Sequence, residues 1–217
     1  MPFGIPSFAK NLPPRHRFWA WVYNRTAFGY DFGVRWGWRL ALGGAAIQRE
    51  SYLAKINIAP GQLVLETAVG TGANLALLPA NARYVGVDLS LNMLRRCRQN
   101  LAHTNRPAAL IHADMLALPF LDHSFDVVFH MGGLQFVNDP ARAIAEVTRV
   151  AKPGSRITLV DETDSIPKIL SRSRKEGHAP FTGVADLLGI MPPAGVDPLP
   201  ELISEGELYC LSFTKHA

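Results

Sequence analysis

The chain has 217 residues, two cysteines and 22 Lys/Arg against 18 Asp/Glu, a formal charge of +4, which suffices for one well-buried core and leaves no length for a second catalytic domain. No apolar run approaches the roughly 18 residues of a bilayer span, and nothing in the first thirty residues resembles a cleavable leader, so the expectation is one domain, 1–217, in the reducing cytoplasm. The charge is lopsided: residues 1–55 hold eight Lys/Arg and two Asp/Glu, the rest fourteen and sixteen, so the body lacks the basic face expected of a nucleic-acid enzyme.

Residues 1–55 read as a helical, aromatic-rich cap on a body formed by 56–217. All four tryptophans and twelve of the twenty Phe, Trp and Tyr lie in the cap. Phe18, Trp19, Val22 and Tyr23 recur at helical spacing, and Val34, Trp38, Ala41, Ala45 and Tyr52 repeat it less cleanly, which predicts two helices. Arginines interleave with the rings (Arg15, Arg17, Trp19, Trp21, Arg35, Trp36, Trp38, Arg39). Some of these rings must simply pack on the body, and as a further possibility the mixture suits peripheral contact with a membrane, where aromatic rings sit at headgroup level.

The body opens on Leu63-Val64-Leu65-Glu66-Thr67-Ala68-Val69-Gly70-Thr71-Gly72-Ala73-Asn74, followed by Tyr84-Val85-Gly86-Val87-Asp88. The pattern predicts a strand, a glycine turn, a short helix ended by Pro79 near Leu78, and a second strand closing on a carboxylate, a nucleotide-binding βαβ unit. Gly70 and Gly72 allow a sharp turn and close backbone approach to a ligand. A dinucleotide pattern G-x-G-x-x-G is incomplete, because 68 and 73 are Ala and 75 is Leu, and no Lys-Ser or Lys-Thr follows as a triphosphate loop requires. Asp88 is placed to accept hydrogen bonds from ribose hydroxyls, while Glu66 would repel a phosphate and hold a cationic head group. A ligand with a ribose and an amino group fits best.

Beyond this unit, apolar runs at 108–112, 125–130 and 156–161 continue the strand series begun at 63–67 and 84–88. Leu91 to Ala102 reads as a helix capped by Ser90, with Arg95, Arg96 and Arg98 on its solvent side. Ala141 to Val150 reads as another, with Asp139 as cap and Pro140 in the first turn. Residues 163–197, broken by Pro167, Pro180, Pro192 and Pro193, read as helical fragments over one sheet edge. Glu207 to Lys215 alternates like a strand, and Pro198 to Ile203 is its candidate partner across Ser204-Glu205-Gly206. The fold expected is α/β and Rossmann-like, a mostly parallel seven-stranded sheet with helices on both faces and an antiparallel C-terminal strand.

These landmarks resemble the class I S-adenosylmethionine-dependent methyltransferases of the small-molecule type, which include the ubiquinone and menaquinone methyltransferases. The family's first motif, acid-x-Gly-x-Gly-x-Gly, stands here as Glu66-x-Ala68-x-Gly70-x-Gly72. Asp88 matches the ribose acid, Asp114-Met115 with Leu118-Pro119-Phe120 the adenine loop, Ser124-Phe125-Asp126-Val127-Val128 the following strand, and Arg149-Val150-Ala151-Lys152-Pro153-Gly154 the next helix-to-strand turn. The resemblance implies S-adenosyl-L-methionine as cofactor, bound by Glu66, Ala68, Gly70, Gly72, Asp88, Leu89, Met93, Asp114, Met115 and His130. It implies a small-molecule methyl acceptor; the aromatic cap suits one that is apolar or aromatic, and the charge distribution argues against a nucleic-acid partner. It also implies that the segment before the first motif folds over the cofactor, which adds a pocket lid to the two readings of the aromatic cap.

Methyl transfer from a sulfonium is an in-line displacement on an activated carbon, so positioning and exclusion of water dominate. His130, following Phe125-Asp126-Val127-Val128-Phe129, is the candidate base, the alternative being a residue that contacts cofactor or packs beneath it. Many relatives carry a histidine further along that loop, where this chain has Phe136. Gly132-Gly133 allows close ligand approach or simply a positive-φ loop. Asp161 and Glu162 could bind a proton or metal, or end a strand as a cap. No two of the seven histidines show helical metal spacing, so no metal is expected. Cys97 reads as a packed thiol. The alternative to an enzyme is a non-catalytic S-adenosylmethionine-binding protein of the same fold.

Overall fold

The computed structural model describes residues 4–41, 49, 52–104, 106–162, 187–203 and 208–216, with backbone alone described at 30–41, 162, 195–196 and 202–203. Helix α1 (Pro14–Ala41) precedes β1 (Leu63–Thr67), β2 (Arg83–Asp88), α2 (Leu91–Ala102), β3 (Ala108–His112), β4 (Val127–Met131), a 3-10 turn at Leu134–Phe136, α3 (Pro140–Val150), β5 (Arg156–Glu162), β6 (Gly195–Ile203) and β7 (Leu208–Lys215).

One seven-stranded sheet runs in the order β3-β2-β1-β4-β5-β7-β6. The five strands β3, β2, β1, β4 and β5 pair in parallel, and β7 pairs antiparallel with both β5 and β6. Parallel strands are covered on both faces, and alternate side chains of one strand serve two cores. Leu65 and Val128 pack with Ala143, Ile144, Val147 and Val150 of α3. Val64, Val127 and Phe129 pack with Leu94, Cys97 and Leu101 of α2 and with Tyr52, Leu53 and Ile56. The last three tie the end of the aromatic segment into the body.

Ser90 Oγ accepts from the Met93 amide at 3.2 Å and Asp139 Oδ1 from the Arg142 amide at 3.0 Å, capping α2 and α3 as expected; each cap contributes about 1 kcal/mol. Leu187 is fully buried in the α3-side core, and β6 starts at Gly195, three residues earlier than the sequence pattern predicts. Residues 163–186, where helical fragments are expected, lie outside the described residues.

Two expectations are corrected. The segment after β1 forms turns in place of a short helix: Gly72 N donates to Val69 O, Ala76 N to Gly72 O and Leu77 N to Asn74 O. One four-residue step is too little to nucleate a helix before Pro79. The amino-terminal helices divide elsewhere than expected: Val34, Trp38 and Ala41 belong to the 28-residue helix α1, about 42 Å long, that starts before Phe18, while Tyr52 lies in helical backbone at 52–53. Gly29, Gly33 and Gly37 weaken that helix by about 1 kcal/mol each without breaking it, since no proline interrupts it. Ala45 lies outside the described residues.

Helix α1 crosses the carboxyl edge of the parallel strands. His16 meets the loop after β3, Arg15 donates to Gln135 O after β4, and Asn24 docks on the start of α2 after β2. Ahead of it, Phe8 N donates to His112 O at 2.7 Å and His112 N to Pro6 O at 2.9 Å, extending the sheet at its β3 edge.

Candidate functional site

Strand order reverses between β1 and β4, and in open α/β sheets ligands bind beyond the carboxyl ends of the strands at such a switch point. Thr67 and His130 are register partners there.

The turn leaving β1 is left-handed at three alternate positions: Ala68 φ +56°, Gly70 φ +54° and Gly72 φ +80°. At Ala68 this conformation costs about 1 kcal/mol relative to glycine, and the turn forms regardless. Gly72 is required for space as well, because a Cβ there would stand 2.5 Å from Cys97 Sγ. Cys97 is thus the packed thiol expected, wedged under the turn.

Two carboxylates flank this turn. Asp88, half-buried at the end of β2, accepts the Gly70 amide at 2.8 Å on Oδ2 and the Ser90 amide at 2.7 Å on Oδ1. Enclosure by protein raises its pKa above the usual carboxylate value, against the lowering effect of these amides. Each oxygen keeps a lone pair for a further donor. Glu66, at the end of β1, is fully buried. Its Oε1 accepts from Asn74 Nδ2 at 2.6 Å, and its Oε2 has no partner among the described residues. Burial pushes its pKa up to about 8, opposed by the Asn74 hydrogen bond and the Arg49 charge. Asn74 Oδ1 in turn accepts from an Arg49 guanidinium nitrogen at 2.7 Å and lies 3.5 Å from the Tyr52 hydroxyl.

Asp114 is buried after β3, its Oδ1 accepting the Leu116 amide at 3.0 Å and its Oδ2 sharing a 2.6 Å hydrogen bond with His16 Nδ1. Met115 packs against the α3-side core, Met93 is buried in the first turn of α2, and the Leu89 carbonyl accepts from His112 Nε2 at 3.1 Å.

His130 is fully buried; its Nδ1 shares a 2.9 Å hydrogen bond with Thr67 Oγ1, and its Nε2 has no partner among the described residues. Burial alone lowers its pKa to about 4. A neutral imidazole enclosed in this way is a weak proton acceptor, which favours the packing reading over the base. Phe136 packs tilted against Trp19 with centroids 4.2 Å apart and meets Tyr23 edge-on at 6.0 Å, so this position is a contact with α1. Gly132 (φ +71°) and Gly133 (φ +107°) are needed for backbone conformation, since a Cβ at Gly132 would meet nothing within 4 Å. Asp161, buried, accepts the Leu134 amide at 2.7 Å and so anchors that loop; the Glu162 side chain lies outside the described atoms. Among the described residues no His, Cys, Asp and Glu group could hold a metal.

The sequence pattern thus gathers Glu66, Ala68, Gly70, Gly72, Asp88 and His130 around one turn, with Asp114 across the edge. It misses His16 and the chain Arg49–Asn74–Glu66. Asn74 stands two residues after Gly72, and a polar side chain there, on the turn that Glu66 leads into, was a usable signal.

A buried acid with one unpartnered oxygen and a second acid beside it fit a cation joined to a diol. Comparison with known proteins agrees. Residues 65–159 match the family model described as a methyltransferase domain. The demethylmenaquinone methyltransferase of Clavibacter sepedonicus is 33% identical over 150 residues, covering 68% of this chain and 60% of that protein. That of Thermobifida fusca is 36% identical over 124 residues, 56% of this chain and 52% of the relative; the chain therefore spans only half to three-fifths of these relatives' lengths. In fold it is similar to phosphoethanolamine N-methyltransferase 2 of Haemonchus contortus, solved with S-adenosylhomocysteine (TM-score 0.76, 15% identity, 95% of this chain and 61% of that one). It is also similar to a [4+2]-cyclase (TM-score 0.65, 15% identity, 81% and 82%).

Proposed function

Since this chain belongs to the class I S-adenosylmethionine-dependent methyltransferases, we propose that it transfers a methyl group from S-adenosyl-L-methionine to a small, apolar or aromatic acceptor in the cytoplasm. The observation that carries the reading is the pair of acids at the ends of β1 and β2 beside the left-handed turn, with Glu66 Oε2 buried and unpartnered. The cofactor would supply an activated methyl on a sulfonium, so the chain's work is to hold, orient and exclude water.

In this reading Glu66 Oε2 receives the ammonium of the amino-acid arm, and Asn74, held by Arg49, fixes the carboxylate's orientation. Asp88 receives the ribose hydroxyls, and its amide contacts from Gly70 and Ser90 fix the turn at the same time. Asp114 faces the adenine with Met115 on the ring, and His16 holds that carboxylate from the lid. His130 acts by packing and by its bond to Thr67, and the acceptor brings its own nucleophile. Residues 1–55 serve as a cap over a core at 56–217, with α1 as the lid; the contacts of His16, Trp19 and Asn24 support this. Cys97 and Cys210, both buried and in no disulfide, suit a reducing compartment.

The relatives' printed name gives the first acceptor to try, a demethylated menaquinone. The test is titration calorimetry with S-adenosylmethionine, S-adenosylhomocysteine and NADH, followed by a radiolabelled-methyl assay. Asp88→Ala is expected to weaken S-adenosylhomocysteine ten- to a thousandfold, since it removes charge-assisted hydrogen bonds. Unchanged affinity, or tighter binding of NADH, would refute the assignment. The fold supports other chemistry too, as the cyclase neighbour illustrates, so binding without transfer to any acceptor would favour the non-catalytic reading.

A further inference from the structure

We propose that the outward face of α1 docks the protein onto an anionic lipid surface. At 100° per residue, Arg17, Phe18, Trp21, Arg25 and Phe28 fall within one 100° arc of the helix. His16, Trp19, Ala20, Tyr23, Asn24 and Ala27 fill the opposite side, where the helix meets the body. Phe18, Trp21 and Phe28 are 54%, 57% and 90% exposed. A single exposed ring is ordinary, but three on one helix stripe with two arginines make a patch whose chemistry matches the headgroup region. Phe18 stacks on Trp21 with centroids 6.4 Å apart, and Arg25 lies over the Trp21 ring at 5.3 Å, so rings and cations form one surface.

Charge selects the partner. Residues 1–30 contain no Asp or Glu and four Lys/Arg (Lys10, Arg15, Arg17, Arg25), whereas residues 56–217 carry more acids than bases. An extended polyanion such as RNA would have to run from the helix onto that acidic body; a headgroup plane needs only the helix face. No described helix is long and apolar enough to cross a membrane, so the contact is interfacial. Because the inward face of the same helix bonds to Asp114 and packs on Phe136, docking sets the crevice against the layer in which an apolar acceptor dissolves. That delivery role rests on the acceptor class proposed above; the docking does not.

The test is co-sedimentation of the full chain with phosphatidylcholine vesicles, with and without about a third phosphatidylglycerol, at ~0.1 M salt. The expected result is at least tenfold stronger binding to the anionic vesicles, lost tenfold or more in F18S/W21S/F28S and reduced to the phosphatidylcholine level in R17E/R25E. Both variants should bind S-adenosylhomocysteine with the wild-type Kd, which verifies their fold. No binding by the wild type, or equal binding by the triple variant, overturns the proposal. So does binding of polyuridylate, or a dimer in size-exclusion chromatography, that depends on these residues while vesicles are ignored. Vesicle binding without methylation of a quinone would leave the docking standing and remove the acceptor class.

Discussion

Cofactor binding should expel a proton from Glu66. With burial holding its pKa at about 8, about nine-tenths of the free protein carries a neutral Glu66 at pH 7. An ammonium placed at Oε2 lowers a carboxylate pKa by about one to three, to about 5 to 7, so binding at pH 7 releases about 0.4 to 0.9 of a proton. Titration calorimetry of S-adenosylhomocysteine in buffers of different ionisation enthalpy reads that number as a slope. Glu66→Gln should release less by that amount, and comparing the two proteins cancels the ligand's own titration. The affinity of the variant should fall about ten- to a hundredfold, the range for a hydrogen bond to a charged group. Stability moves the opposite way. A folded pKa raised from 4.5 to about 8 means that the unfolded chain ionises first, so stability is lost as pH rises between those values, by up to roughly 5 kcal/mol. Glu66→Gln without ligand should therefore gain on the wild type between pH 5 and 9. Equal proton release from both proteins at pH 7 would refute the placement of the ammonium at this acid.

Ala68→Gly should raise stability by about 1 kcal/mol, or roughly 2–4 °C in Tm, by relieving the left-handed alanine; an unchanged or lower Tm by calorimetry would count against the strain. Gly72→Ala should destabilise by several kcal/mol, roughly, since its Cβ would meet Cys97 Sγ, and adding Cys97→Ala should recover the steric part while leaving the backbone part. His130, depressed to about 4 in the folded protein against about 6.5 unfolded, makes stability fall as pH drops through that window, by roughly 3 kcal/mol. His130→Asn should flatten that acid limb in urea titrations at pH 4 to 7.

The body was legible because its signals are local. Ser90 and Asp139 cap where they stand in the sequence, and the strand runs at 63–67 and 108–112 coincide with β1 and β3. The turn after β1 was misread as helix because apolar spacing over Leu75 and Leu78 looks helical while serving a loop that packs on the α2-side core. The long-range pairs were not legible: His16 to Asp114 spans 98 positions, and Arg49 to Asn74 joins a residue before the first motif to one inside it. Spacing rules see one element at a time, and the first of these contacts exists only after α1 lies across the sheet.

The described side chains that could move a proton near the crevice are held by neighbours, some of them on α1. His130 is enclosed and holds Thr67; Asp161 is occupied by the Leu134 amide; Asp114 is held by His16; Phe136 is committed to Trp19. Each side chain suited to proton transfer near the carboxyl ends of β3, β4 and β5, among those described, is engaged in fixing the lid or the loops beneath it. An arrangement of this kind invests in geometry and dryness, which suffice when the methyl donor is already cationic. It works best on an acceptor that arrives with its nucleophile formed, such as an acidic aromatic hydroxyl or the electron-rich carbon beside one. In the proposed reading, the aromatic lid and the engagement of these described side chains would suit an acceptor apolar enough to pass Trp19 and Phe136 and acidic enough to react without a protein base.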